Sequence, residues 1–272
     1  MPSSPRTKRD YLQQLVFEKN RWNRPLTDEE KALGFLGRHE RGYLPQCDYP
    51  GLIQFVTFRL ADSMPASRRS EWEQLLTIED ARDKRAQLEL YLDQGIGQCH
   101  LHDPSFARLT EDALLHFHED RYELLVWCVM PNHVHLLVEI WQTPLWKLVR
   151  SWKQFVQTQA NRLLTERRPP ARRGDGAKDP AFPKKPIFQW EREYWDTFMR
   201  DESQEKKAVR YIENNPVKTK LCRAPEEWPF SSARLRDKFS QLVVPKKAGA
   251  LASGTTSVTP NTAAPCRRPA LL

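Results

Sequence analysis

The stretch "WCVMPNHVHLLVEI", Trp127 to Ile140, places His133 and His135 one residue apart in an apolar run. Side chains on a β-strand alternate between faces, so in a strand the two imidazoles share one face and Val134 points to the other. Such a pair can ligate a divalent ion that polarises a phosphate oxygen, or it can belong to a packed core. Burying two histidines without partners is costly, which favours a shared ligand. A second group lies in "VRYIENNPVK", Val209 to Lys218, where a helix would put Tyr211 and Asn215 on one face, four residues apart. A tyrosine oxygen is a nucleophile once deprotonated or set beside a metal, and an asparagine carbonyl is a neutral oxygen ligand. The same spacing also describes a packing tyrosine followed by a helix stop at "NNP".

Hydrophobic periodicity supplies the elements that must position these residues. "LIQFVTFRLA", Leu52 to Ala61, reads as a strand with Phe55, Thr57 and Arg59 on one face and Val56, Phe58 and Leu60 on the other. "YELLVWCVMP" is a strand ending at Pro131, Asn132 makes a corner, and "HVHLLVEI" returns as the next strand. Ser67 to Leu92 is helical, and a further helix is expected to start with Thr110 as its N-cap. After Pro144, Leu145, Leu148, Val149, Trp152, Phe155, Val156 and Leu163 follow the helical period. An edge strand near Tyr194 to Arg200 precedes a helix that opens at Asp201 or Ser203 and is expected to stop before Pro216. Arg41 to Gly51 reads as a turn-rich lead-in loop, and Tyr11 to Lys19 as a short amphipathic helix. This order predicts an α+β fold: an antiparallel sheet with helices packed on one face. It divides the chain into a polar extension (1–40), one domain (41–240) and a disordered tail (241–272), with a helical insertion at about 66–120 and a basic loop at about 167–186.

The 272 residues suffice for one substantial core, while 39% hydrophobic and 29% charged residues imply polar margins around it. A formal charge of +8 favours a polyanionic partner such as nucleic acid, with an anionic membrane surface the weaker alternative. Lys147, Arg150, Lys153, Arg167, Arg168, Arg172, Arg173, Lys184 and Lys185 cluster between the histidine strand and the tyrosine helix, where they can track phosphates or simply solvate a connector. Trp146, Trp152, Trp190 and Trp195 are stacking candidates that could equally be core aromatics. Five scattered cysteines, none in C-x-x-C spacing, fit neither a zinc ribbon nor a disulfide framework and point to a reducing cytoplasm. No apolar run approaches a membrane span and no apolar signal core is evident, so a cytoplasmic, nucleoid-associated protein is expected.

Taken together, "MPNHVHLLVE" and "VRYIENNPVK" resemble the paired signatures of the REP-associated tyrosine transposases, single-tyrosine members of the HUH nuclease superfamily that act on single-stranded DNA. The resemblance extends to "RGYLPQ" (Arg41 to Gln46), "FVTFRLADSMP" (Phe55 to Pro65), "WEREYWD" (Trp190 to Asp196) and "EEWPFSSA" (Glu226 to Ala233), about residues 41 to 235. It implies a ferredoxin-like sheet, a divalent ion (Mg2+ or Mn2+) on His133, His135 and Asn215, and Tyr211 as the nucleophile. It also implies a transposase or host-domesticated endonuclease that cleaves and joins single-stranded DNA beside palindromic hairpins, through a 5′-phosphotyrosine and without a nucleotide cofactor. Tyr194 is the rival nucleophile, and Phe198 stands where relatives often carry another aromatic. A non-catalytic hairpin-binding protein that keeps the fold is the alternative. One tyrosine per chain suits either a monomer or a homodimer.

Overall fold

Apolar residues occur at both odd and even positions of the strands, and the fold buries both faces of the sheet they form. The protein is described by a computed structural model over residues 24–41, 44–167 and 187–244. Helix α1 (Asp28–Leu33) leads into a hairpin of β1 (Gly37–Arg41) and β2 (Leu44–Asp48). Then come β3 (Ile53–Arg59), α2 (Arg69–Leu76), α3 (Ala81–Leu92), α4 (Pro104–Leu115), β4 (Tyr122–Val129) and β5 (His133–Ile140). Helix α5 (Leu145–Glu166), β6 (Trp195–Phe198) and α6 (Glu202–Lys218) complete the order. The central sheet runs β4-β5-β3-β6 with every pairing antiparallel, and α4 and α5 serve as its two crossovers. This is the ferredoxin-like α+β arrangement expected from the sequence.

One face carries Val56, Phe58, Leu60, Val134, Leu136, Val138 and Ile140 against Phe106, Leu114, Leu148, Trp152 and Val156 of α4 and α5. The expectation of helices on one face therefore holds for the crossovers. Helix α6 lies on the other face, where Ile212 meets Phe55, Val126, Cys128 and Leu137. A register shift between Leu124 and Val126 switches the parity of β4: Leu124 faces the same core as Trp127 and Val129, while Val126 and Cys128 face the other.

Three local readings need correction. Helix α4 starts six residues before the expected cap: Asp103 accepts from Ser105 N at 2.8 Å with Pro104 in the first turn, and Thr110 sits mid-helix with its hydroxyl bonded back to Phe106 O. Arg41 to Gly51 contains β2, which pairs antiparallel with β1 in a register running from Gly37–Asp48 to Arg41–Leu44. Helix α6 does not stop before Pro216 but runs through it to Lys218. A proline this close to the end forfeits a single backbone bond. The turn is then held by Thr219, whose N–H and hydroxyl bond Asn215 O at 3.0 and 2.9 Å, and by Leu221 N to Pro216 O at 2.8 Å. Asp201 is the N-cap, accepting from Gln204 N at 2.8 Å. Tyr11 to Lys19 lies outside the described residues.

The segment carrying "EEWPFSSA" has an architectural task. Trp228 Nε1 donates to Val129 O (3.0 Å), Val129 N donates to Phe230 O (2.9 Å), and Ser232 Oγ accepts from Trp127 N (3.2 Å), so the segment covers the outer edge of β4. Ser232 Oγ also donates to Glu213 Oε1 on α6 (2.8 Å), and Arg236 Nε reaches both Glu213 oxygens at 2.7 and 2.9 Å. The tyrosine helix is thereby tied to the sheet edge through a buried carboxylate. Glu213→Ala is expected to cost about 2–4 kcal/mol, because it leaves the mostly buried Arg236 guanidinium without its partner. Urea denaturation measures this, and Glu213→Ala combined with Arg236→Ala should recover part of the loss.

Candidate metal centre and nucleophile

Strand β5 places His133 and His135 on the face toward α6, and Val134 goes into the opposite core, as strand alternation requires. Both imidazoles are buried, their Nε2 atoms 3.0 Å apart. Each outer nitrogen is held by a polar neighbour. The Asn132 amide group donates to Leu92 O (3.3 Å) and Ile96 O (3.1 Å), so its carbonyl oxygen faces His133 Nδ1 at 2.7 Å. His133 Nδ1 must then carry the proton, which leaves a lone pair on Nε2. His135 Nδ1 lies 2.8 Å from Thr57 Oγ1, a hydroxyl that can donate or accept and so suits either tautomer. Thr57 stands directly across from His135 in the β3–β5 register.

Asp93, just past the end of α3, brings a carboxylate oxygen so close that its ligand atom and those of both histidines lie within 4.8 Å of one another. Asp93 Oδ2 is 2.8 Å from Lys218 Nζ, while its Oδ1 is buried without a hydrogen-bond partner. Asn215 Oδ1 is likewise buried and unpartnered on a side chain that is 1% exposed. Buried oxygens are seldom left unsatisfied, so the Asp93 carboxylate within ligand range of a lone-pair nitrogen fits a cation. The mixed nitrogen and oxygen set suits a divalent ion without selecting one.

Tyr211 comes to the same place. Its ring lies 5.6 Å from the His135 ring at 70° and 5.9 Å from Phe55 at 82°, while the Asn215 amide donates to its hydroxyl at 3.4 Å. The Lys218 ammonium lies 5.5 Å from the ring centre. Burial, then the nearby Glu89 and Asp93 charges, hold the phenol well above its ordinary pKa. Tyr194, the rival, is buried in the opposite core with Lys153 Nζ 5.7 Å from its ring centre.

The basic residues fall elsewhere. Helix α5 packs on the sheet face away from the histidines, so Lys147, Arg150 and Lys153 do not reach them. Lys147 Nζ bonds Leu33 O (2.7 Å), and Lys153 Nζ bonds the carbonyls of Glu191, Arg192 and Glu193 at 2.9, 3.2 and 3.1 Å. Arg150 is exposed in a groove along α5 with Trp146, Gln154 and Thr158. Arg167 pairs with Asp103 at 2.6 Å. Arg168, Arg172, Arg173, Lys184 and Lys185 lie outside the described residues. Trp152, Trp190 and Trp195 are buried core aromatics, and Trp146 is half-buried with its indole N–H on Gly34 O (3.0 Å).

Comparison with known proteins agrees with the motifs. Over 111 residues, 41% of this chain, the sequence is 27% identical to a protein of Haemophilus influenzae (strain ATCC 51907 / DSM 11121 / KW20 / Rd) named "Putative REP-associated tyrosine transposase". The resemblance read from the motifs is borne out. The match spans 58% of that relative's length. A solved structure of a REP-associated tyrosine transposase bound to a REP hairpin aligns over 82% of this chain and all of its own, with a TM-score of 0.42 and 14% identity. No protein-family profile matches the chain. Among the described residues, no helix is long and apolar enough to cross a membrane.

Sequence reading missed Glu89 and Asp93. Their four-residue spacing in "ELYLD" marks one helical face, but an acidic pair beside Leu88 and Leu92 looks like an ordinary solvated edge until the fold brings α3 against α6.

Burial pushes His133 down to about 3 and His135 well below its ordinary value, with His133 acting on His135 and the Lys218 charge on both in the same direction. The folded values lie below the unfolded value near 6.5, so the unfolded chain binds more protons between those limits and stability falls as pH drops through that window. For metal-free protein, urea midpoints between pH 7 and 5 should decline with a slope of at most about 1.4 kcal/mol per pH unit per histidine. His133→Gln combined with His135→Gln should flatten that decline.

Proposed function

We propose that this protein is a metal-dependent single-strand DNA endonuclease and strand-transferase that acts beside palindromic hairpins, with Tyr211 as its nucleophile. The observation that carries the reading is the convergence of His133, His135, Asp93 and the Tyr211–Asn215 face from three separate parts of the chain. Composition adds the +8 charge expected for a polyanionic substrate, and the Haemophilus influenzae relative is named for the same reaction class.

His133, His135 and Asp93 would hold the ion, with Asn215 Oδ1 as a further oxygen ligand. When bound, a divalent ion supplies positive charge beside a phosphoryl oxygen. Tyr211 Oη attacks the backbone phosphorus in line: the Oη–P bond forms, the P–O3′ bond breaks, the phenol loses its proton and the 3′ oxygen gains one. The phosphodiester bond energy is kept in the 5′-phosphotyrosine, so a 3′-hydroxyl can attack it later and rejoin the strand. Asn132 and Thr57 keep the imidazoles oriented, and Phe55 stacks on His135 with ring centres 5.5 Å apart and fixes its plane. Hairpin DNA is the substrate the family resemblance implies. Mg2+ or Mn2+ is the ion it implies.

Labelled hairpin DNA incubated with the protein and Mg2+ or Mn2+ should give a denaturant-stable covalent adduct. Tyr211→Phe and chelation by EDTA should each abolish it, while Tyr194→Phe should retain it. An undiminished adduct with Tyr211→Phe removes the assignment. Hairpin binding by wild type without any adduct would instead identify a non-catalytic binding protein.

A further inference from the structure

We propose that a cavity beside the histidine pair, walled by Trp72 and Trp195 with Arg59 as its floor, receives one nucleobase next to the phosphate under attack. The inference rests on the single-strand nuclease reading and deepens it, because it names the group by which that site selects its cleavage point. The cavity measures about 100 Å³, and Thr57, Arg59, Trp72, Glu191, Glu193 and Trp195 line it. That is far more room than one water needs, and less than the ~300–1,000 Å³ of a drug-sized site. It suits a single flat ring system.

Thr57 links the cavity to the reaction centre. Its hydroxyl lies 2.8 Å from His135 Nδ1, so one lining side chain separates the cavity from the imidazole. The register agrees: Arg59 stands across from His133 on β5, and Thr57 stands across from Trp195 on β6. Strand alternation keeps Thr57 and Arg59 on the histidine face of the sheet. A strand whose phosphate meets the histidines therefore carries its neighbouring base past the mouth of this cavity.

The lining favours a base over a phosphate. The Trp72 and Trp195 rings lie 6.1 Å apart and 20° from parallel, an aromatic wall for a planar group. Arg59 is buried, with its guanidinium 5.4 Å from the Trp72 ring centre. It donates to Ser63 Oγ at 3.1 Å, Leu60 O at 3.4 Å and Glu191 Oε2 at 3.1 Å, which fixes its fork of donors. Glu191 and Glu193 are half-buried, and Lys153 pins their segment through the carbonyls of Glu191, Arg192 and Glu193. Glu191 N also bonds Arg59 O at 2.9 Å. Two carboxylates oppose entry of a phosphate, so the part of DNA that the cavity accepts is uncharged. Donors from Arg59 and acceptors from the glutamates complement a base edge that carries both an acceptor and an exocyclic amine. Thymine has no such amine and fits least.

The test uses labelled hairpin DNA with single-stranded flanks and Mg2+. Each nucleotide beside the mapped cleavage bond is replaced in turn by an abasic one. Under single-turnover conditions, one such replacement should slow adduct formation by wild-type protein about tenfold or more. Trp72→Ala should slow the intact substrate to a similar degree and lose its sensitivity to that replacement, a coupling that a merely structural tryptophan does not produce. Wild-type protein indifferent to every abasic replacement overturns the role of the cavity and leaves Tyr211 as nucleophile. Trp72→Ala protein that keeps the full wild-type sensitivity overturns it as well. If Trp72→Ala lowers the thermal midpoint, Glu193→Gln decides: a changed order of rates among the four bases at that position upholds the proposal, and an unchanged order overturns it. No adduct with wild type on any substrate overturns both readings.

Discussion

Two uncharged imidazoles inside a dry sheet face are the constraint around which this fold is arranged. Neither His133 nor His135 can be protonated there at neutral pH without a large desolvation cost, and neither can be left unpaired. The structure answers with one polar neighbour for each outer nitrogen: Asn132 from the strand corner and Thr57 from the adjacent strand. That solution dictates much else. It needs β3 and β5 in a register that sets Thr57 across from His135. It also needs a helix end whose carbonyls occupy the Asn132 amide, because otherwise the amide and its oxygen could exchange places. The inner nitrogens are left 3.0 Å apart, facing a carboxylate and a phenol.

Much of this was legible in the sequence. Period-2 alternation places Phe55, Thr57 and Arg59 on one face of β3, and the same logic separates Val134 from the histidines, because burial on one side enforces strand parity. The Tyr211–Asn215 spacing was sound because a helix puts residues four apart on one side, and Pro216 did not interrupt it. Other features depend on contacts between distant segments. Thr110 looked like a cap because threonine before "EDALL" fits one, yet the Asp103–Pro104 pair six residues earlier is the stronger start. The basic residues of α5 suggested a nucleic-acid track, whereas the structure places their helix behind the sheet and engages Lys147 and Lys153 with backbone carbonyls. Local pattern fixes which face a residue takes on its own element, but not which elements become neighbours.

The acidic pair of α3 shows the same limit from the other side. Between β3 and α4 the chain makes an excursion through two short helices, α2 and α3, and such excursions are commonly peripheral to the sheet they leave. Here the excursion returns to the centre. Trp72 stacks against Trp195 with ring centres 6.1 Å apart, and Arg59 lies over Trp72 at 5.4 Å, so α2 and α3 are seated on the sheet by aromatic and aliphatic packing. That seating gives a carboxylate at the end of α3 enough positional certainty to act with groups from β5 and α6.

The C-terminal strap of Trp228 to Arg236 bears on the order in which the molecule is built. The histidines, Asp93 and Asn132 all precede residue 140, whereas the helix bearing Tyr211 is tied to the sheet by Ser232 and Arg236. During synthesis the histidine half of the site is therefore complete long before Tyr211 can be locked beside it. A nascent chain that has emerged only through α6 carries His133, His135, Asp93 and Tyr211 but lacks the clamp that ties α6 to the sheet edge. Completion of the site is thus deferred to the last stretch of the described residues.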